Sequence, residues 1–377
     1  MTTVFNNAQL ILSNEVVKGH LIVEGEKIVG IDQGQSSLPS AIDMDDMYIM
    51  PGMVELHTDN MEKYFEPRPG VDWPGMGAAV AHDQQMVSAG VTTVFDAVAV
   101  GSDFVESRKN NLPIIIESLC NAEKQGFHKA EHFLHLRCEV STENTYEEFL
   151  SFASNPMLRL ASLMDHAPGQ RQFADFSKYR QYYQGKYKYN DTEMDAFIEK
   201  HLKRSEINSK PNRDAIVEHC KKENIALASH DDALEEHVQE SIEYGVSMAE
   251  FPTTVEAAKM SHENKLHVMM GAPNLIRGKS HSGNVSASEL AEGGYLDIIS
   301  SDYYPSSLLQ AAFKLADSEK YDLAAAIKCV SKNPAEAVGL EDRGELKTEK
   351  LADFVVVKKH HDMPLVEQVW RRGKRIC

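Results

Sequence analysis

Eight short apolar runs lie between residues 49 and 302, several of them ending in a cluster of polar side chains, and stretches of helix length separate the runs. The runs are 49–56, 90–98, 131–139, 157–166, 225–230, 246–252, 266–273 and 296–302. Short apolar and β-branched runs read as buried strands, whereas Leu234 to Tyr244 and Thr254 to Asn264 read as helices. Strands alternating with helices make a parallel sheet. Eight such units close into a (β/α)8 barrel whose active site lies at the strand C-terminal ends. The expected fold class is therefore α/β, a TIM-type (β/α)8 barrel. A chain of 377 residues has room for that barrel and a small second domain.

The first run carries the sharpest chemistry. Ile49 to Leu56, entered through Pro51-Gly52, leads straight into His57-Thr58-Asp59. Residues two apart on a strand share a face, so His57 and Asp59 project together and could grip a metal. Alone, such a pair is an ordinary surface motif. The ends of later runs add Glu139, His166, His230 and Asp302. Three histidines and three carboxylates at one barrel mouth suit one or two divalent ions, with Glu139 able to bridge a pair. Asp302 is the expected catalytic residue, a ligand that also accepts a proton from the attacking water. The other histidines, including His20, His82, His132, His201, His219 and His262, fall in helical or turn contexts and are expected at the surface.

The two ends of the chain have a different rhythm. Residues 3–50 hold short β pieces separated by polar turns such as Glu24-Gly25-Glu26, and the tail returns to strands at Ala352–Val357 and Val366–Trp370. A small β-sandwich domain is expected from residues 1–51 and 343–377, with the barrel in 52–342. The stretch around 167–224 is too long for a plain connection and is expected to be a functional insertion over the barrel mouth.

Composition removes several classes. A net charge of −18 argues against nucleic-acid binding. No apolar run reaches about 18 residues, so no membrane span is expected. Five scattered cysteines with no CxxC pair, and an N-terminus without signal-peptide features, point to reduced thiols in a cytoplasm. A homo-oligomer is compatible with all of this.

Specific runs carry a family resemblance. They are the first-strand pattern Pro51-Gly52 to His57-x-Asp59 with Asn60, Pro67-Arg68-Pro69-Gly70-Val71-Asp72-Trp73-Pro74, residues 163–173, Ala228-Ser229-His230-Asp231-Asp232, Ala249-Glu250-Phe251-Pro252-Thr253-Thr254, and Ser300-Ser301-Asp302-Tyr303-Tyr304-Pro305. With Asn333-Pro334-Ala335 and Ala352-Asp353-Phe354-Val355-Val356, they resemble the amidohydrolase superfamily and, within it, the phosphonate-utilisation branch, over essentially the whole chain. The resemblance implies metal-dependent hydrolysis of a small-molecule ribosyl triphosphate, with cleavage to the 5-phosphate and release of diphosphate. It implies divalent ions, zinc foremost, with manganese or magnesium as alternatives. Two departures matter. Most superfamily members have His-x-His on the first strand where this chain has His57-x-Asp59, and a carboxylate there favours a harder ion. Many also use a carboxylated lysine where this chain has Glu139.

A triphosphate needs cationic donors. Residues 169–189 supply Arg171, Lys178, Arg180, Lys186 and Lys188 against Asp175 alone, an excess that stands out in an acidic chain. Lys63 and Arg68 follow the first strand, and Arg277, Lys279 and His281 lie in the Gly-rich loop 271–283. The expected substrate-binding residues are Lys63, Arg68, Arg171, Lys186, Arg277 and His281, since arginine forks match phosphate oxygens. The alternative is a cyclic-amide hydrolase or deaminase on the same scaffold, which needs no such charge. A non-catalytic scaffold is the other competitor, and the intact set of metal candidates argues against it.

Overall fold

The computed structural model describes residues 2–101, 106–173, 175–278 and 284–377. Five strands come first: β1 (Thr2–Ile11), β2 (Val16–Glu24), β3 (Lys27–Gln33), β4 (Ile42–Asp43) and β5 (Tyr48–Pro51). Eight short apolar strands follow: β6 (Met53–Thr58), β7 (Val91–Val100), β8 (Glu131–Glu139), β9 (Leu158–Met164), β10 (Ala226–His230), β11 (Met248–Glu250), β12 (His267–Gly271) and β13 (Ile298–Ser300). Three more end the chain: β14 (Phe354–His360), β15 (Met363–Arg371) and β16 (Lys374–Arg375). The helices among them include α1 (Asn60–Phe65), α2 (Gly75–Ser88), α3 (Glu106–Lys124), α4 (Thr145–Ala153), α5 (Phe176–Tyr187), α6 (Asp191–Glu223), α7 (Glu235–Tyr244), α8 (Val255–Glu263) and α9 (Ala272–Arg277).

Strands β6 to β13 form one sheet in chain order, and a parallel bridge between Thr58 and Asp302 joins its first strand to its last. Closure leaves no edge of unpaired N–H and C=O groups, so the expected (β/α)8 barrel forms. The remaining strands build a separate mixed sheet from both chain ends, in the order β16-β15-β14-β5-β1-β2-β3, with β4 beside β1. Its core joins Phe5, Leu10, Leu21, Ile28, Ile49, Phe354 and Val356, with Trp370 packed against them. The Phe5 ring meets Phe354 edge-on at 5.0 Å and Trp370 at 4.9 Å, contacts that lock β1 to β14 and β15. Gly52 carries the chain from this sheet into β6. A Cβ there would stand 2.3 Å from Thr92 Oγ1, so only glycine admits the approach.

By its contacts the chain divides into two compact units. One comprises Met1–Asp96, Ile115–Phe133 and Met270–Cys377; the other comprises Ala97–Ile114 and Leu134–Met269. In the second unit, residues 167–224 form a short 3-10 turn, α5 and the 33-residue α6. Helix α6 begins with a complete capping box of Asn190 and Glu193 and ends at Asn224 in a left-handed conformation. Its Asn212 amide donates to the carbonyls of Val140 and Thr142 at 2.9 and 2.7 Å, pinning the segment that follows β8. No helix among the described residues is long and apolar enough to cross a membrane.

Candidate metal centre

In the second unit, the ends of β8, β9 and β10 bring Glu139, His166 and His230 into one cluster. Glu139 Oε2 lies 2.6 Å from His166 Nδ1, and Glu139 Oε1 accepts from the His166 N–H at 3.2 Å and from Ser141 Oγ at 2.6 Å. On the other side of the imidazole, Asp231 Oδ2 lies 3.5 Å from both His166 Nε2 and His230 Nε2. Burial opposes the charge on His166, yet Glu139 and Asp231 carry its pKa up to about 10. Burial also opposes the Asp231 carboxylate, but His230, His166 and Arg137 together hold it below the usual range.

A third carboxylate orients His230. Glu250, fully buried at the end of β11, sits 3.0 Å from His230 Nδ1 and 3.6 Å from His135 Nε2, which also lies 2.9 Å from Ser162 Oγ. With Nδ1 held by Glu250, the other nitrogen of His230 is left to face Asp231, the usual means of aiming a metal-ligating imidazole. Ligand atoms of His166, His230 and Asp231 all lie within 4.8 Å of one another. This donor set fits a divalent cation. The carboxylates that now stabilise an imidazolium would equally stabilise a metal charge, and binding would displace that proton.

Asp231, Phe251 and Asp302, each just beyond a strand, adopt φ of 58°, 54° and 55°. The Asp231 N–H donates to Glu250 O and the Phe251 N–H to Met269 O, both at 2.9 Å, so the ladder runs one residue past each strand. Left-handed φ at a bulky residue such as phenylalanine costs about 1–3 kcal/mol, a cost that clusters at functional sites.

In the first unit, His57 is buried and Asp59 is half-buried at the start of α1. A carboxyl group absent from the expected set organises this corner. Glu55 Oε1 accepts from the His57 N–H at 2.7 Å, Oε2 accepts from the Ser301 N–H at 2.6 Å, and Ser300 Oγ lies 2.7 Å from Oε1. Ser300 Oγ also lies 2.6 Å from the His57 carbonyl and accepts from the Asp302 N–H at 3.2 Å. Glu55 thus ties β6 to β13, the strands that carry His57 and Asp302. Burial pushes its pKa up against the hydrogen bonds from Ser301 and Ser300.

The basic residues separate by environment. Arg171 is only 3% exposed, its guanidinium bound to Asp232 and, at 2.8 Å, to Glu240. Glu240 also accepts from Arg213 at 2.7 Å. With carboxylates at both terminal nitrogens, Arg171, which was expected at the phosphate chain, ties the 169–173 turn to α7. Arg180 is turned to Asp195 and Asp191 of α6, so the local positive excess is offset by acids just outside the 169–189 window. Lys186 is exposed, with its ammonium over the rings of Tyr182, Tyr183 and Tyr187 at 5.4–6.0 Å. Lys63, Arg68 and Arg277 are exposed, whereas Lys279 and His281 lie outside the described residues.

Several histidines expected at the surface are buried. His82 and His132 are at most 1% exposed and share the Asp96 carboxylate at 2.6 and 2.8 Å, and His132 Nε2 lies 3.2 Å from Asp83. These N–O distances suit shared protons. Ligands around a zinc ion with bonds near 2.0 Å would stand about 3.3 Å apart. His201 is buried in the aromatic core of Phe173, Tyr179, Tyr183 and Met194, with its Nδ1 2.8 Å from the Tyr179 hydroxyl. Glu250, Asp231, His135 and Arg137 were missed in the sequence. For His135 and Arg137 a signal was present, since both alternate with Glu139 along β8.

A closed (β/α)8 barrel with imidazoles and carboxylates at its strand ends defines a metal-dependent hydrolase. The chain matches the model of the Amidohydrolase family over residues 48–376 and belongs to that family. It is 49% identical to the alpha-D-ribose 1-methylphosphonate 5-triphosphate diphosphatase of Escherichia coli (strain K12), over 99% of this chain and 100% of that one. Among solved structures, the 5-methylcytosine deaminase of Klebsiella pneumoniae liganded with phosphonocytosine superposes with a TM-score of 0.68 at 15% identity, covering 100% of this chain and 98% of that one. The N-acetyl-D-glucosamine-6-phosphate deacetylase of Mycobacterium smegmatis superposes with 0.65 at 14% identity, covering both chains fully. At such identities the two structures show a shared fold.

Proposed function

We propose that this protein hydrolyses α-D-ribose 1-methylphosphonate 5-triphosphate to the 5-phosphate and diphosphate, in the cytoplasm, with one or two divalent ions. The observation that carries the reading is the 49% identity to the Escherichia coli diphosphatase along practically the whole chain. The ligands we assign are His57, Asp59, Glu139, His166, His230 and Asp302. The support is topological: all six residues stand at or just beyond the C-terminal ends of strands of the parallel sheet β6 to β13. The mixed imidazole and carboxylate set takes zinc foremost and accommodates manganese or magnesium.

A divalent ion there lends positive charge that polarises a phosphoryl oxygen and makes water a stronger acid. The chain's own residues do the rest. Asp302 takes a proton from the attacking water as its oxygen bonds to phosphorus and the bridging P–O bond to the departing diphosphate breaks. Its backbone is held for this by the Ser300 hydroxyl and by its left-handed φ. Glu250 keeps the His230 ring in one orientation, and Glu55 holds the backbone between His57 and Ser301. Exposed Lys63, Arg68, Lys186 and Arg277 are the assigned cations for the phosphate chain.

Phosphorus NMR of the purified protein with the ribosyl triphosphate tests the reading. Diphosphate and a 5-phosphate should appear together, stop after chelation and resume when zinc, manganese or magnesium is restored. Sequential release of orthophosphate, or no turnover with any of the three ions, refutes it.

A further inference from the structure

Strand β8 alternates His135, Arg137 and Glu139 on one face, while Leu134, Leu136 and Cys138 lie buried on the other. Of the three, His135 is hydrogen-bonded to Ser162 and faces Glu250, and Glu139 holds His166. Arg137 sits between them in the chain and is only half-buried. It is near enough to Asp231 for its charge to act on that carboxylate. Its Nε is buried, yet has no hydrogen-bond partner among the described residues. Leaving a guanidinium N–H buried and unpaired is costly, and such an orphaned donor calls for an acceptor from outside the chain.

We propose that Arg137 binds the oxyanions of the substrate's phosphate chain beside the Glu139 and His166 ligands, as a specificity-determining contact. This rests on the proposed diphosphatase reading and deepens it. The chemistry favours a phosphate. A planar guanidinium presents a fixed fork of donors that matches the tetrahedral oxygens of a phosphoryl group. The cluster around it is otherwise rich in carboxylates, which repel an anion unless a fixed cation offsets them. The substrate carries anionic phosphorus at two places, the C1 phosphonate and the 5-triphosphate. The bond to be cleaved belongs to the triphosphate, so the chain of phosphates is the group that must reach the metal ligands, and Arg137 lies two residues from one of them.

The test compares Arg137→Ala with wild type in the metal-loaded protein, using inorganic pyrophosphate and methylphosphonate as separate calorimetric probes, with metal content measured in parallel. Pyrophosphate affinity and kcat/KM for the ribosyl triphosphate should both fall about ten- to a hundredfold, the usual effect of losing a charge-assisted contact. Metal content and methylphosphonate affinity should not change, and added guanidinium should restore part of the loss. Arg137→Lys keeps the charge without the fork and should fall between the two, which preserves the test if the alanine variant fails to fold. Unchanged pyrophosphate affinity, loss confined to methylphosphonate, or loss that tracks metal content would each overturn the proposal. If wild type proves inactive on the ribosyl triphosphate while Arg137→Ala still weakens pyrophosphate, the diphosphatase reading fails and the anion contact stands. If wild type is active and the variant matches it, this inference alone fails.

Discussion

Replacing Asp96 by asparagine removes a carboxylate that two buried imidazoles share. His82 and His132 lie 2.6 and 2.8 Å from its two oxygens, and all three side chains are inaccessible to solvent. Burial alone would lower the pKa of His132, but Asp96 on one nitrogen and Asp83 on the other raise it to about 9. The folded value therefore lies above the unfolded one, near 6.5. In that order the folded state holds a proton that the unfolded state has released, so stability is fully present below the unfolded pKa and is lost as pH rises through the folded one. Between the two values it falls by about 1.4 kcal/mol per pH unit, or roughly 3 kcal/mol in all. In Asp96→Asn the largest support for the His132 charge is gone, and breaking a buried pair costs about 3–5 kcal/mol near neutral pH. Urea denaturation of both proteins from pH 6 to pH 10 should show a gap that is widest near pH 6.5 and narrows as pH passes 9. A gap below about 1 kcal/mol, or one that does not change with pH, would refute the assignment of a buried imidazolium at His132.

Three further outcomes follow from the centre itself. Asp302→Asn should keep its metal and its substrate affinity but lose kcat by several orders of magnitude, and a loss confined to KM would make Asp302 a binding residue. Glu250→Gln should weaken metal affinity about 10- to 100-fold by releasing the His230 ring, read by titration with a competing chelator, and unchanged affinity would remove Glu250 from that role. Arg171→Ala leaves Asp232 buried without its cation and should cost about 3–5 kcal/mol in urea denaturation; a stable variant with a specific defect in triphosphate binding would return Arg171 to the phosphate.

How much of this was legible in the chain depends on the range of the signal. The strand runs, their period-2 faces and the polar residues at their ends are local, because burial of a strand needs an apolar run and a site needs polar groups where the run stops. That His57, Glu139, His166, His230 and Asp302 stand at or just beyond strand ends was therefore visible without coordinates. The sign of a basic window was not, since the partners of Arg171 are Asp232 and Glu240, 61 and 69 residues away in the chain. Shorter separations, 14 residues for His82–Asp96, 36 for His132–Asp96 and 49 for His132–Asp83, likewise hid the fate of these histidines, whose polarity reads as surface exposure until the carboxylates are brought beside them.

The sequence by itself determined the alternation that makes a parallel barrel, and the places along it where chemistry can sit. Tertiary structure decided which charges face one another. It gave Glu55 to the seam between β6 and β13, Glu250 to the back of His230, and two acids to Arg171, while leaving the Arg137 Nε without a partner among the described residues. The reason is physical. Secondary structure follows from short-range patterns of burial and backbone preference. A charge inside a protein is stabilised or left wanting by whatever the fold places within a few ångströms of it, wherever that residue lies in the chain.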